Sequence, residues 1–228
     1  MLEVQHITKI YNPGTVHETC LFRDFSLQIA QGSFVSVVGS NGSGKTSLLN
    51  ILCGSIPVES GSILMDGVDI TKVKEFRRYR RMGRVYQNPA MGTCPTMTIL
   101  ENLSMADNKG RPYNLGFGTN KRRIQAYKDM LAPLGLGLED KLGIPVGSLS
   151  GGQRQALALL MATMTPIDFL ILDEPTRNLS PLSGPVVRRT LGAYSGTIVS
   201  VSHDRKYLRE VCDGIYRLTP FGLCPEEV

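Results

Sequence analysis

The sequence predicts an α/β fold with a mostly parallel core sheet, a small antiparallel β portion beside it, and an inserted helical subdomain. Three observations carry this expectation. Strand-like runs recur at 2–7, 25–30, 34–38, 62–65, 169–172, 197–201 and 215–218. Several are continuously apolar, as strands covered on both faces are, and helical patterns lie between some of them. An Asp66-Gly67 turn follows one of the early runs and favours antiparallel pairing there. The interval from about 88 to 163 is rich in helix formers, as in NKRRIQAYKDMLAPLGL, and offers no convincing strand. Residues 1–87 and 164–228 are thus expected to form the core, with 88–163 as the insertion.

Bulk composition fits such a chain. Its 228 residues are 42% hydrophobic and 20% charged, enough to bury a core, and no apolar run approaches the ~20 residues of a membrane span. The start, MLEVQHITKI, lacks the basic and then apolar order of a secretory signal. Five scattered cysteines, Cys20, Cys53, Cys94, Cys212 and Cys224, show no Cys-x-x-Cys spacing, which fits free thiols in a reducing cytoplasm. The net charge of +5 gathers partly in KVKEFRRYRRMGR, seven basic groups against one Glu. That run reads as a solvated surface segment or as a contact for nucleic acid or a phosphate-rich membrane. NKGRPYNLGFGTNK reads as a loop inside the insertion.

Chemistry enters directly after the apolar run at 34–38. Gly39-Ser40-Asn41-Gly42-Ser43-Gly44-Lys45-Thr46, followed by Ser47 and a helical run, is the G-x-x-x-x-G-K-[ST] phosphate loop in the strand-to-helix context it needs. Glycines let backbone N–H groups turn inward on phosphates, and the helix points its positive end at them. Lys45 would bridge β- and γ-phosphates, and the Thr46 hydroxyl would join a Mg²⁺ shell. In FLILDEP, four apolar residues deliver Asp173 and Glu174 to a strand's C-terminal end, where open α/β sheets bind ligands. Asp173 would hold Mg²⁺ through water, and Glu174 would orient and deprotonate the attacking water. Finally, Leu149-Ser150-Gly151-Gly152-Gln153 stands at the head of an apolar helix, where N–H groups and a hydroxyl can meet an anion.

With these motifs in this order, the chain resembles the ATP-binding cassette (ABC) ATPases over nearly its full length. The resemblance implies a P-loop fold with a RecA-like core and assigns ATP and Mg²⁺ as cofactors. Tyr11 corresponds to the aromatic residue that stacks on adenine, and Gln87 in VYQNP to the Q-loop glutamine near the metal, alongside Thr46 and Asp173. Ser150, Gly151, Gly152 and Gln153 correspond to the signature, which in this family meets the nucleotide of a second subunit. Lys45, Glu174 and the switch histidine His203 in SVSHD are the implied catalytic groups. His6 and His17 match no motif and read as structural or solvated.

The resemblance also implies a homodimer or heterodimer of cassettes that drives transmembrane permease subunits from the cytoplasmic face of the membrane. Up to Met164 the chain is similar to bacterial importer-type ATPases, notably of amino-acid uptake systems. From Phe169 onward, DEPTRNLSPLSGPVVRR and VSVSHDRKYLREVCD are more similar to soluble cassettes of the antibiotic-resistance and translation-factor type. A natural mosaic, a fusion of two cassettes and an ordinary subfamily member all fit that change, and a soluble cassette regulating ribosome or nucleic-acid processes, or a cassette of low hydrolytic activity, stays open as the alternative function. Ser180 stands where importer-type cassettes carry the D-loop aspartate, keeping a hydroxyl and losing the charge. In the helix that follows, Ser183 can cap and Pro185 suits the first turn.

Overall fold

The computed structural model of the protein describes residues 1–112, 118–177, 179 and 183–226, apart from the Ser183 side chain. The N-terminal half runs β1 (Leu2–Tyr11), β2 (Thr19–Ile29), β3 (Phe34–Val38), α1 (Lys45–Cys53), β4 (Ser60–Met65), β5 (Val68–Asp69), α2 (Glu75–Arg78) and β6 (Met82–Val85). Helices α3 (Ile99–Asp107), α4 (Ile124–Leu131) and α5 (Gly151–Thr163) follow. The chain then returns through β7 (Phe169–Asp173), α6 (Ser183–Gly192), β8 (Thr197–Val201), α7 (Arg205–Val211), β9 (Gly214–Leu218) and β10 (Leu223–Pro225). No helix among the described residues is long and apolar enough to cross a membrane.

Among the described residues two sheets are present. The core sheet has the order β10-β9-β3-β8-β7-β6 and is parallel throughout except for the β9–β10 pair. β7 and β8 are buried at every position, which is why their sequences are apolar without alternation. The antiparallel portion is a separate sheet, β2-β1-β4-β5, and its two longest strands exceed the expected 2–7 and 25–30. Register shifts break the β1–β2 ladder, and His6 and Asp24 sit at φ 53° and 52° with their side chains 2.6 Å apart. Such bulges interrupt the period of two, so only the regular ends of these strands announce themselves in sequence.

The basic run at 72–84 departs from the expectation of a simple solvated segment, and its last three residues enter the unexpected strand β6. Arg78 is 4% exposed. Its guanidinium donates to the carbonyls of Ile51 (3.0 Å), Leu52 (2.8 Å), Thr71 (2.9 Å) and Val73 (2.9 Å). The first two belong to the last turn of α1, whose carbonyls have no partner within the helix, so the arginine closes that helix from outside. Arg81 is tied to Asp66 and Asp168, and Arg84 lies over the Tyr86 ring.

The helical insertion packs its own core from Ile99, Leu103, Tyr127, Leu131, Leu138 and Val146. Thr98 and Ser150 open α3 and α5 with reciprocal capping boxes to Glu101 and Gln153. Helix α5 serves both layers: Leu157 joins the helical cluster and Leu159 the cluster against the sheet. The start of α5 is thereby held in fixed relation to the sheet edge.

Candidate nucleotide site

Strand order positions the site. β8 lies between β3 and β7, so the loop after Val38, the Asp173 terminus and the segment after Val201 emerge side by side at the C-terminal edge of the sheet. Gly42 and Gly44 have φ 82° and 97°, and a Cβ on Gly44 would lie 2.9 Å from the Leu21 side chain. Only glycine satisfies both the left-handed backbone and that close approach. Gly44 precedes α1, whose first turn carries no acidic residue, leaving the helix N-terminus free to favour an anion. The Ser43 hydroxyl is buried without a partner. Lys45 Nζ donates to the carbonyls of Gly39 and Ser40 at 2.8 Å each. Burial lowers the Lys45 pKa, while the charges of Glu174 and Asp173 oppose that shift.

Asp173 closes β7 and is 5% exposed. Burial pushes its carboxyl pKa up, against the Thr46 hydroxyl bonded to it and the charges of Arg84, Lys45 and Arg177. Glu174 turns out of the strand at φ 49°, a left-handed conformation costing about 1–3 kcal/mol for a non-glycine residue. Its N–H donates to the Val201 carbonyl at 2.9 Å, tying the strained residue to β8. Burial raises the Glu174 pKa too, with His203 the main opposing charge. The His203 backbone N–H donates to Glu174 Oε2 at 3.3 Å, and its Nε2 lies 3.5 Å from Oε1.

These groups face one open cleft of about 800 Å³. Tyr11, Asn41, Gly42, Gly44, Lys45, Thr46, Ser47, Gln87, Asp173, Glu174 and His203 all line it. The Tyr11 hydroxyl donates to Ser47 Oγ at 3.1 Å, placing the ring beside the start of α1. Gly39, Ser40 and Ser43 are not part of the lining; the first two accept from Lys45 and the third carries the orphaned hydroxyl. Ser150, Gly151, Gly152 and Gln153 do not line the cleft. Ser150 Oγ instead accepts from the Gln153 N–H at 3.2 Å, and Gln153 Nε2 donates to the Leu136 carbonyl at 3.1 Å. Ser180 and its neighbours Asn178 and Pro181 lie outside the described residues, as does the Ser183 side chain.

Sequence reasoning missed Thr19, Leu21 and Arg177, which also line the cleft. Thr19 arrives because it pairs with Tyr11 across the β1–β2 ladder, a register no motif encodes. Arg177 was legible in principle, four residues beyond Asp173 in the same turn. For a metal, the Thr46 hydroxyl, the Asp173 carboxylate and the Gln87 amide offer hard oxygen donors. No cluster of three or more His, Cys, Asp or Glu able to hold a metal occurs among the described residues. That donor set fits Mg²⁺, which keeps waters and phosphate oxygens in its shell, better than a metal needing an all-protein cage.

Comparison with known proteins gives the family and the fold. The family profile described as ABC transporter matches residues 22–177. A tyrosine transport ATP-binding protein of Clostridioides difficile is 37% identical over 96% of this chain and 88% of its own length. A methionine import ATP-binding protein of Vibrio vulnificus is 30% identical over 93% of this chain and 60% of its own length. Among solved structures, a dimeric ATP-binding cassette in a post-hydrolysis state with ADP and Pi superposes with a TM-score of 0.84 at 26% identity, covering 100% of this chain and 98% of that one. The profile and the tyrosine-transport match both run across 164–169, so nothing in them supports a mosaic origin. The chain belongs to the ABC transporter family, as an ATP-binding cassette that hydrolyses ATP.

Proposed function

We propose that this cassette pairs with a second one, identical or not, and powers transmembrane permease subunits from the cytoplasmic face of a membrane, with a cargo of the amino-acid class. The cargo class rests on the tyrosine-transport relative, which matches nearly end to end. The chemistry rests on one observation above all: the phosphate loop, the Asp173-Glu174 pair and His203 converge on a single cleft at the sheet edge. Residues 88–163 serve as the signature subdomain and 1–87 with 164–228 as the RecA-like core.

In this mechanism the nucleotide phosphates replace the Gly39 and Ser40 carbonyls as partners of Lys45, and the Ser43 hydroxyl gains a partner in the same event. The adenine stacks on Tyr11. Thr46, Asp173 and Gln87 would hold Mg²⁺, which would supply charge neutralisation for the phosphates. Glu174 takes a proton from water as the water oxygen bonds to the γ-phosphorus, and the bridging P–O bond breaks with its electron pair passing to ADP. His203 positions that base through its backbone N–H and, with its imidazole beside the same carboxylate, reaches the transferred phosphoryl group.

The test is a comparison of nucleotide binding with turnover. Purified protein with Mg²⁺ and ATP should release phosphate. Lys45→Ala should lose nucleotide affinity, while Glu174→Gln should keep it and lose turnover by about 10²–10⁴-fold. Equal turnover by Glu174→Gln and the parent would remove Glu174 from the role of base.

A further inference from the structure

Beside the nucleotide cleft lies a second, smaller cavity of about 200 Å³, and the two share Gln87 and Arg177 in their walls. Its other wall is the start of α5, with Gly151, Arg154 and Gln155. Three features of this chamber point to an anion. Gln155 is only 3% exposed, yet its Nε2 is buried without a hydrogen-bond partner, and Arg154 Nε is likewise unpartnered. A buried donor left unpaired is costly, so such groups ordinarily have an occupant to satisfy them. Two guanidinium groups face the space, and among the described residues no carboxylate lines it. The thirteen-residue α5 contributes its N-terminal end, and its first turn contains no acidic residue.

The volume accommodates a tetrahedral oxyanion with a few waters, each needing ~30 Å³. It falls below the ~300–1,000 Å³ of ordinary small-molecule pockets, whereas the cleft next to it is four times larger. Arg177 stands in both walls, within electrostatic range of Asp173 on one side and beside Arg154 and Gln155 on the other. Planar guanidinium forks suit phosphate oxygens better than point charges do.

We propose that this chamber is an inorganic-phosphate site, which receives the phosphate cleaved from ATP through the Gln87–Arg177 wall while ADP still occupies the larger cleft. The inference rests on the larger cleft being the ATP site. Hydrolysis leaves ADP on the phosphate loop and a free phosphate whose charge must be moved away from Asp173 and Glu174. The chamber offers the phosphate an adjoining position lined by cations and by donors that otherwise go unpaired.

Equilibrium dialysis of radiolabelled inorganic phosphate against the full chain, saturated with ADP and Mg²⁺, tests it. About one phosphate should bind per chain with ADP in place. Arg154→Gln, outside the nucleotide cleft, should weaken phosphate binding about tenfold or more while leaving ADP affinity within about twofold. Gln155→Glu, nearly isosteric and anionic, should abolish phosphate binding, and Arg154→Lys should restore part of it by returning the charge without the fork. No phosphate bound to the ADP-loaded chain, or equal binding by the parent and Arg154→Gln, would overturn the inference while leaving the ATP site standing. Failure of ADP itself to bind would overturn the nucleotide reading and the phosphate site with it.

Discussion

Asp173 and Glu174 are carboxylates held where a carboxylate is poorly solvated, and the consequence can be followed with pH. Burial raises both pKa values. Between the ordinary and the raised values, the folded chain keeps protons that the unfolded chain has lost. The folded state is therefore favoured as pH falls through that window, and at neutral pH the two charges cost stability. Asp173→Asn keeps the shape, and its amide oxygen can still accept from Thr46, but it removes one buried charge. Without metal or nucleotide, it should raise stability at pH 7 by about 0.5–2 kcal/mol, a Tm gain of a few degrees. The gain should shrink as the parent carboxyl protonates at lower pH. Calorimetry across pH 5–8 checks this, and a lower Tm at pH 7 would mean that the cations around Asp173 outweigh its burial. The left-handed Glu174 belongs to the same pattern, strain and desolvation being concentrated where the chemistry occurs.

At the scale of elements, α1 carries the phosphate loop and its far end is secured by a residue from another part of the chain. Arg78 binds two carbonyls of the last turn of α1, and Gly54 just beyond that turn allows the approach, since a Cβ there would lie 2.7 Å from Arg78 Nε. Arg78→Met should leave the carbonyls of Leu52, Thr71 and Val73 unpaired, Ile51 keeping the Gly54 N–H, and cost on the order of 3 kcal/mol, read as a lower urea midpoint with unchanged m. Arg78→Lys should recover only part, because an ammonium lacks the fork. Gly54→Ala should cost about 1 kcal/mol or more through its φ of 84° alone. The double change should cost less than the sum, because both disrupt one contact. A fully additive pair would show that Gly54 and Arg78 act independently. None of this was legible in KVKEFRRYRRMGR, where seven basic residues look alike and only packing distinguishes the buried Arg78 from the exposed Lys72, Lys74, Arg77, Arg80 and Arg81. Strand β6 was hidden where the same run ends, four residues whose apolar ends, Met82 and Val85, each follow an arginine. By contrast, β3, β7 and β8 were read nearly residue for residue, since strands buried on both faces must be apolar throughout.

At the scale of the molecule, the chemical groups were legible because phosphate binding constrains residue type and spacing together, whereas the β3-β8-β7 order that assembles them is not written in any local motif. The nucleotide cleft of one chain nevertheless lacks Ser150, Gly151, Gly152 and Gln153, which stand at the head of α5 outside its lining. If that helix end completes the nucleotide site of a second chain, a negative charge placed on it should prevent pairing without harming the chain's own ATP binding. Gly151 is exposed and is the first residue of α5, where an acidic side chain suits the helix dipole, so Gly151→Asp should fold normally. Glu174→Gln in saturating ATP and Mg²⁺ should elute as a dimer, and Glu174→Gln with Gly151→Asp as a monomer of ATP affinity within about twofold of the parent. Because ATP is uncleaved in this background, released phosphate and its proposed chamber do not enter the result. Persistence of the dimer in the double variant would remove Gly151 from the interface, and a monomer in both backgrounds would rule out the homodimer. The expected outcome would follow from charge: the α5 terminus attracts a phosphate through its unpaired N–H groups, and one carboxylate there reverses the sign of that interaction.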